Sequence, residues 1–133
     1  MTTLLARLSA VQLAGGLAGQ ALAINRRAPY DIPFGSGRPE DVVRDSFTNG
    51  TAFSAPVHML VLHAWATRRL SRRPGDVLAR RVLRGLGAVM VAGYLMERRD
   101  RLRLTPGGVD PVETPLVATS LGLAASMALT GRR

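Results

Sequence analysis

No aspartate, glutamate, lysine or arginine occurs in residues 8–25, which read LSAVQLAGGLAGQALAIN. Three further segments share this property, and every charged residue lies outside the four: residues 46–67, 85–96 and 114–131. A water-soluble bundle carries charges on the outer face of each helix, whereas a helix that is apolar all round is buried or faces lipid. A chain of 133 residues is too small to bury four complete helices. The pattern therefore predicts an all-α protein, an integral membrane four-helix bundle.

We expect a single transmembrane domain over residues 1–133, with helices at about 4–24, 51–69, 77–96 and 111–130. The third helix has the shortest apolar stretch. This matters because a bilayer requires about 20 apolar residues. It is long enough only if the arginines near its start extend their charged ends to the headgroups. Two alternatives remain open. The chain is a soluble bundle with an Ala- and Gly-rich surface, or its first helix is a cleaved signal peptide, because residues 21–23 resemble a cleavage site.

A long polar loop, residues 25–50, separates the first two helices and contains several prolines and glycines. Within it, the sequence RPED at residues 38–41 is typical of a helix start. Proline fits the first helical position, and acidic residues suit the positive end of the helix dipole. The apolar side of this helix would be Val42, Val43 and Phe47. We therefore expect a partly ordered loop that carries a short helix on the membrane surface or over the bundle.

The composition excludes several kinds of chemistry. The chain has no cysteine, so disulfides, thiol nucleophiles and Cys-ligated metals are excluded. Aromatic residues make up 5% of the chain, too few for a base-stacking module, and nucleic acid is not expected as a partner. The sequence has no Walker loop, nucleophile elbow or zincin motif. His58 and His63 would point about 140° apart on a helix. We therefore predict no shared metal site and no cofactor.

The distribution of arginine predicts the orientation of the chain. With four helices, both chain ends lie on the same side as the basic turn at residues 68–84. Because arginine is enriched on the cytoplasmic side, we expect a multi-pass cell-membrane protein with both termini in the cytoplasm. Four arginines of this turn are predicted to bind lipid headgroups: Arg68, Arg69, Arg72 and Arg73. All 18 basic residues are arginine, a usage typical of a GC-rich bacterial genome.

Small residues recur at four-residue intervals in the first helix, at Ala6, Ala10, Ala14 and Ala18. Such a row lets two helices approach closely within a membrane. It forms either a seam with another chain or a contact inside this chain's own bundle. Because catalytic motifs are also missing, we expect a non-catalytic partner or subunit of a membrane assembly. The expected partners are membrane lipids and another membrane protein or a second copy of the chain.

An ionisable residue inside a membrane helix is a functional candidate by default. His58 is predicted near the outer ends of the helices, where the topology also places the carboxylates of Asp45, Glu97 and Glu113. A carboxylate beside a histidine tunes it as a general acid or base. The alternative function is therefore a membrane-embedded enzyme or binding protein for an isoprenoid or lipid. These four residues would be its catalytic groups, and His58 would point into the bundle.

Overall fold

The computed structural model describes residues 3–130 and is mostly helical, which confirms the all-α prediction. Its elements, in chain order, are α1 Leu4–Asn25, β1 Asp31–Ile32, β2 Gly35–Ser36, a 3-10 turn Pro39–Asp41, α2 Val42–Thr48, α3 Val57–Arg72, α4 Val77–Met96, α5 Arg98–Arg103, a second 3-10 turn Pro106–Gly108 and α6 Glu113–Leu129. The four long helices α1, α3, α4 and α6 form a bundle. The short helices α2 and α5 and the antiparallel β1–β2 hairpin lie in its connections.

The four long helices differ in length. Helices α1 and α4 have 22 and 20 residues, whereas α3 and α6 have 16 and 17. Glutamines at positions 12 and 20 interrupt the apolar sequence of α1, and α4 carries three arginines in its first half. Among residues 3–130, no helix combines the length and the apolarity needed to cross a membrane.

Helices α1 and α4 lie at opposite corners of the bundle, and each packs against both α3 and α6. One end, which we call the basic end, consists of the start of α1 and residues 68–84, which include the α3–α4 turn. There Leu70 and Met127 belong to one buried apolar cluster. At the opposite end, which we call the loop end, Phe53 and Val117 belong to a second cluster. The helices therefore run up and down in alternation.

Helix α3 begins at Val57, later than the start near residue 51 that the sequence suggested. The preceding segment is a tight turn, because the Thr51 N–H donates to the carbonyl oxygen of Ser54 at 3.0 Å. Gly50 enters this turn with φ +89°, a conformation that favours glycine. Pro56 then takes the N-cap position. The first residues after the loop are therefore buried in a turn instead of forming a helical turn.

Aspartate side chains lie at the starts of two of the long helices. Asp76 Oδ1 accepts a hydrogen bond from the N–H of Ala79 at 2.9 Å at the start of α4. Asp110 Oδ1 accepts one from the N–H of Glu113 at 2.8 Å at the start of α6. Each bond satisfies a backbone donor that the helix leaves without an internal partner.

The loop that follows α1 is structured and carries the predicted short helix. A 3-10 turn leads into α2, where Val42 is buried with 2% of its surface exposed. The other two apolar residues of α2, Val43 and Phe47, are exposed, and Phe34 at the turn of the hairpin is 85% exposed. The loop end therefore presents large apolar side chains to its surroundings.

Much of the outer face of α1 and of the second half of α4 is apolar, and several polar side chains lie in the interior beside the buried apolar clusters. In α1, every exposed residue between positions 8 and 24 is alanine, valine, leucine or isoleucine. In α4, the exposed residues between positions 85 and 95 are glycine, alanine, valine and leucine. By contrast, Gln12, His63 and Ser120 are almost completely buried. Helices of water-soluble proteins show the opposite distribution.

Helices α4 and α6 pack closely because α4 has a glycine at the contact. A Cβ atom on Gly87 would lie 2.7 Å from the carbonyl oxygen of Ala124 and 2.8 Å from the amide nitrogen of Ala128. Gly85 lies in the same helix but is exposed, and a Cβ atom there would meet nothing within 4 Å. The two glycines therefore form a matched pair within one helix.

We expect Gly87→Ala to lower the free energy of unfolding by about 1–3 kcal/mol, since the added methyl group forces two backbones apart. Gly85→Ala should raise it by about 0.5–1 kcal/mol, because alanine is the better helix former and has room there. Thermal unfolding followed by circular dichroism measures both changes. Equal effects of the two substitutions would contradict the close α4–α6 contact.

Candidate functional site

His58 does not point into the bundle, so the predicted orientation of this residue is wrong. Its side chain is exposed, and its Nδ1 atom lies 3.3 Å from the carbonyl oxygen of Phe47. The physical reason is the late start of α3, which places His58 in the first helical turn and at the surface. The imidazole therefore joins α2 to α3.

Asp45 is also separate from the other predicted site residues. It is 5% exposed, and its Oδ1 atom lies 3.4 Å from Nη2 of Arg44. Its carbonyl oxygen accepts the N–H groups of Asn49 and Gly50, both at 2.8 Å, which ends α2. Asp45 therefore stabilises the loop.

Glu113 is buried and is held by three arginines. Its carboxylate accepts hydrogen bonds from Nη1 of Arg26 at 2.8 Å, Nη2 of Arg99 at 2.7 Å and Nε of Arg103 at 2.5 Å. The Arg99 guanidinium also lies over the ring of Phe53, 5.3 Å from its centroid. The end of α1, helix α5 and the start of α6 are thereby joined at one carboxylate. Both oxygens of Glu113 are occupied by these contacts, so its role here is structural.

A cavity of about 180 Å³ opens at the loop end, between the loop, the turn before α3 and the end of α4. Most of its lining is apolar, and it includes three methionines and two tyrosines: Met59, Met90, Met96, Tyr30 and Tyr94. Two acidic side chains, Glu97 and Asp100, also line it. An apolar cavity with a few convergent polar groups is the usual form of a ligand site.

Glu97, one of the predicted site residues, is 4% exposed and lies where α4 meets α5. Its two carboxylate oxygens accept the N–H of Asp31 at 2.9 and 3.1 Å, which attaches the β-hairpin to this corner. The N–H of Arg99 donates to it at 3.4 Å. Burial raises the pKa of Glu97 to about 7, although these hydrogen bonds oppose the rise.

Asp100 is the least satisfied polar group of the cavity. It is 1% exposed, and neither of its carboxylate oxygens has a hydrogen-bond partner in the part of the chain that the structure describes. Burial, together with the negative charges of Glu97 and Glu113, raises the pKa of Asp100 to about 8, although the positive charge of Arg99 opposes the rise. At neutral pH this carboxyl group is therefore mostly protonated.

The four arginines predicted to bind headgroups lie together at the basic end. Together with Trp65 they line an open depression of about 290 Å³: Arg68, Arg69, Arg72 and Arg73. Arg69 is fixed there, because its Nε atom lies 2.5 Å from Oδ2 of Asp76 and its guanidinium lies 5.3 Å from the Trp65 ring centroid. The depression is positively charged and has one aromatic wall.

A third polar group lies in the bundle interior. His63 Nε2 is 2.8 Å from the hydroxyl oxygen of Ser9, which also contacts the hydroxyl of Thr67. A serine beside a histidine is the arrangement of an activated nucleophile. Here, however, Ser9 and His63 are both 0% exposed, and neither lines the cavity at the loop end. The group therefore connects α1 to α3 within the bundle.

Comparison with known protein families, curated proteins and solved structures finds no match for this chain. Within residues 3–130, no three histidine or acidic side chains are grouped so that they could hold a metal ion. The functional assignment therefore depends on the geometry of the cavity, the basic depression and the bundle surface.

Sequence reasoning placed Glu97 near this site but missed Asp100 and the apolar cavity wall. One signal was present, because Asp100 is the only acidic residue between Arg98 and Arg103 in a segment that is otherwise rich in arginine. An acid among arginines is normally expected to be paired. Only the tertiary structure shows that it is buried without a partner.

Asp100 should make the folded protein less stable as the pH rises. Its ordinary pKa is 3.8 and its pKa in the folded protein is about 8. Between these values the folded state holds a proton that the unfolded state has lost, so the free energy of unfolding falls with increasing pH. Asp100→Asn should therefore be more stable than the wild type at pH 8 and similar to it near pH 4.

Denaturant unfolding at pH 4, 6 and 8 measures this difference. The control is Glu40→Gln, which removes a carboxylate from an exposed position and should change stability by less than about 0.5 kcal/mol. An Asp100→Asn protein that is less stable than the wild type at pH 8 would show that the carboxylate has a stabilising partner.

Proposed function

We propose that this chain is a small membrane protein and a non-catalytic partner or subunit of a membrane assembly. The observation that carries the proposal is the apolar outer face of α1 and of the second half of α4, combined with the polar side chains buried inside the bundle. Such an exterior is stable against lipid tails or against the apolar helices of a partner, and unfavourable against water.

The burial of Gln12, a polar residue that makes the sequence of α1 less apolar, supports the same function. Gln12 is 1% exposed, and its amide nitrogen lies 3.4 Å from the Tyr94 hydroxyl and 3.7 Å from the Met90 sulfur. Its side chain is therefore turned away from the surroundings of the bundle. A helix of 22 residues is about 33 Å long, which is comparable with the hydrocarbon core of a bilayer.

A row of small residues on α1 is the surface on which we place the partner helix. Of the row that the sequence predicts, Ala6 is buried in the chain's own bundle. Ala10, Ala14 and Ala18 are exposed, as is Ala21, so the bundle does not use these alanines. Their spacing puts them on one face of the helix. Small residues in this arrangement allow a second helix to approach closely in lipid.

The basic end fits a membrane surface. We place it at the cytoplasmic leaflet, where anionic headgroups would occupy the depression between the arginines at 68, 69, 72 and 73. Trp65 beside them is 41% exposed, and indole rings are enriched at membrane interfaces. This assignment places the start of α1 and the α3–α4 turn on the cytoplasmic side.

The cavity at the loop end favours a second candidate function, a binding protein for a lipophilic ligand. It is lined mainly by apolar side chains and contains Glu97, one of the acids expected in such a site. His58, Asp45 and Glu113 lie outside its lining. This second function is therefore one of binding, without the predicted histidine chemistry.

Membrane association is tested by fractionating cells that produce the full chain. We expect the protein to remain in the membrane fraction after washing with alkaline carbonate and to require detergent for extraction. Recovery in the soluble fraction without detergent would contradict the proposed function, because the apolar exterior would then be in contact with water.

The partner surface is tested by Ala14→Leu, which adds bulk to the exposed row on α1. We expect the wild type to form a larger assembly in native electrophoresis or chemical crosslinking of solubilised membranes, and this variant to lose it. The matched control is Ala88→Leu, which adds the same side chain to an exposed position of α4, at the opposite corner of the bundle.

Because both alanines are exposed, neither substitution should lower the thermal stability of the monomer by more than about 0.5 kcal/mol. An assembly that survives Ala14→Leu, or that is lost equally in both variants, would show that α1 does not provide the partner surface.

A further inference from the structure

The cavity at the loop end contains a buried carboxyl group that a ligand could bind. Asp100 lines it, is 1% exposed, and has two carboxyl oxygens without a partner in the described residues. A buried polar group without a hydrogen bond is unfavourable, because it has lost its contacts with water and gained none in return. A ligand that donates a hydrogen bond inside the cavity would remove this penalty.

The charges around Asp100 determine which donor fits best. Glu97 lines the same cavity, and Glu113 is near enough to act on the titration of Asp100. Arg99 acts on the titration of Asp100, but its guanidinium is bound to Glu113 and lies over Phe53. No described cation therefore contacts the free carboxyl group, and its surroundings favour a positively charged ligand.

The rest of the lining suits the apolar part of such a ligand. Three methionines and two tyrosines form much of the wall. Thioether side chains adapt to irregular apolar shapes, and aromatic faces attract cations. An apolar cavity of about 150 Å³ is known to accept a benzene ring, so a volume of about 180 Å³ admits a ring with a small substituent.

We propose that this cavity binds a small lipophilic amine in its protonated form, with the ammonium group donating hydrogen bonds to Asp100 and the apolar part lying among the methionine and tyrosine side chains. The inference deepens the second candidate function above and rests on it. It does not depend on the proposed membrane assembly.

Binding should release a proton. Asp100 is mostly protonated in the empty cavity at neutral pH, and it must lose its proton to accept the ammonium N–H groups. The O–H bond of the carboxyl group breaks, the proton goes to solvent, and no other bond changes. The ionisable groups around Asp100 are Tyr94 and Glu97 from α4 and the α4–α5 junction, Asp31 from β1, Glu113 from α6, and Arg99 and Arg101 on its own helix.

The test is titration calorimetry of the purified full chain at pH 7 with two ligands of similar size, benzylammonium chloride and benzyl alcohol. Titrations of the solubilising detergent alone correct for partitioning. Two buffers with different ionisation enthalpies give the number of protons released. We expect benzylammonium to bind at least ten-fold more tightly than benzyl alcohol and to release about one proton per molecule bound.

Three variants complete the test. Asp100→Asn should bind benzylammonium at least ten-fold more weakly and without proton release, whereas Glu40→Gln should match the wild type. Gly93 also lines the cavity, and a Cβ atom there meets nothing within 4 Å, so Gly93→Leu is expected to occupy cavity space. Gly93→Leu should weaken the binding of both ligands, although it keeps the carboxyl group of Asp100.

Each other outcome overturns a distinct statement. Equal binding of the two ligands, or full benzylammonium binding by Asp100→Asn, would refute the proposal that Asp100 binds a protonated amine. Either result would leave the ligand-binding function in place. Binding of neither ligand would refute both. Thermal unfolding of each variant confirms that a loss of binding occurs in folded protein.

Discussion

The contact of one buried carboxylate with three guanidinium groups determines the architecture of the loop end. Glu113 is fully buried, and an unpaired carboxylate in that position would be strongly unfavourable. Arg26, which follows α1, and Arg99 and Arg103, both in α5, compensate it. The end of α1, the short helix α5 and the start of α6 are thereby fixed relative to one another. Removal of the carboxylate would leave three arginines repelling each other.

The same contact explains why the cavity contains an unpaired acid. Asp100 stands between Arg99 and Arg101 in α5, yet side chains of successive helical residues point about 100° apart. Arg99 is directed to Glu113, and the Nη1 atom of Arg101 lies 3.4 Å from the carbonyl oxygen of Leu95. An arginine-rich segment thus supplies no partner to the acid within it. Burial can therefore raise the pKa of Asp100, and its carboxyl group remains available to a ligand, although the chain carries a large excess of positive charge.

The sequence predicts the four long helices, but it predicts neither the start of α3 nor the arrangement of the site. Helix α4 begins at Val77 because Asp76 caps it, and both features can be recognised from spacing alone. The start of α3 could not be recognised in this way. A proline at position 56 and a buried turn replace the helix that the apolar composition suggested. This difference moved His58 to the surface and separated it from the acids. Burial of Asp100 depends on contacts between α5, the loop and α4, which no local pattern encodes.

The distribution of polarity in the bundle relates the two proposals to each other. Interior groups such as Gln12 and His63 bind to other helices of the same chain, so they specify the packing of the bundle and leave its exterior apolar. A ligand that reaches the cavity from an apolar environment must itself be lipophilic. It must also carry a group that Asp100 can bind. A lipophilic amine meets both conditions, because its apolar part is soluble in lipid and its ammonium group donates hydrogen bonds to a carboxylate. An apolar exterior and an acidic cavity are therefore compatible parts of one protein.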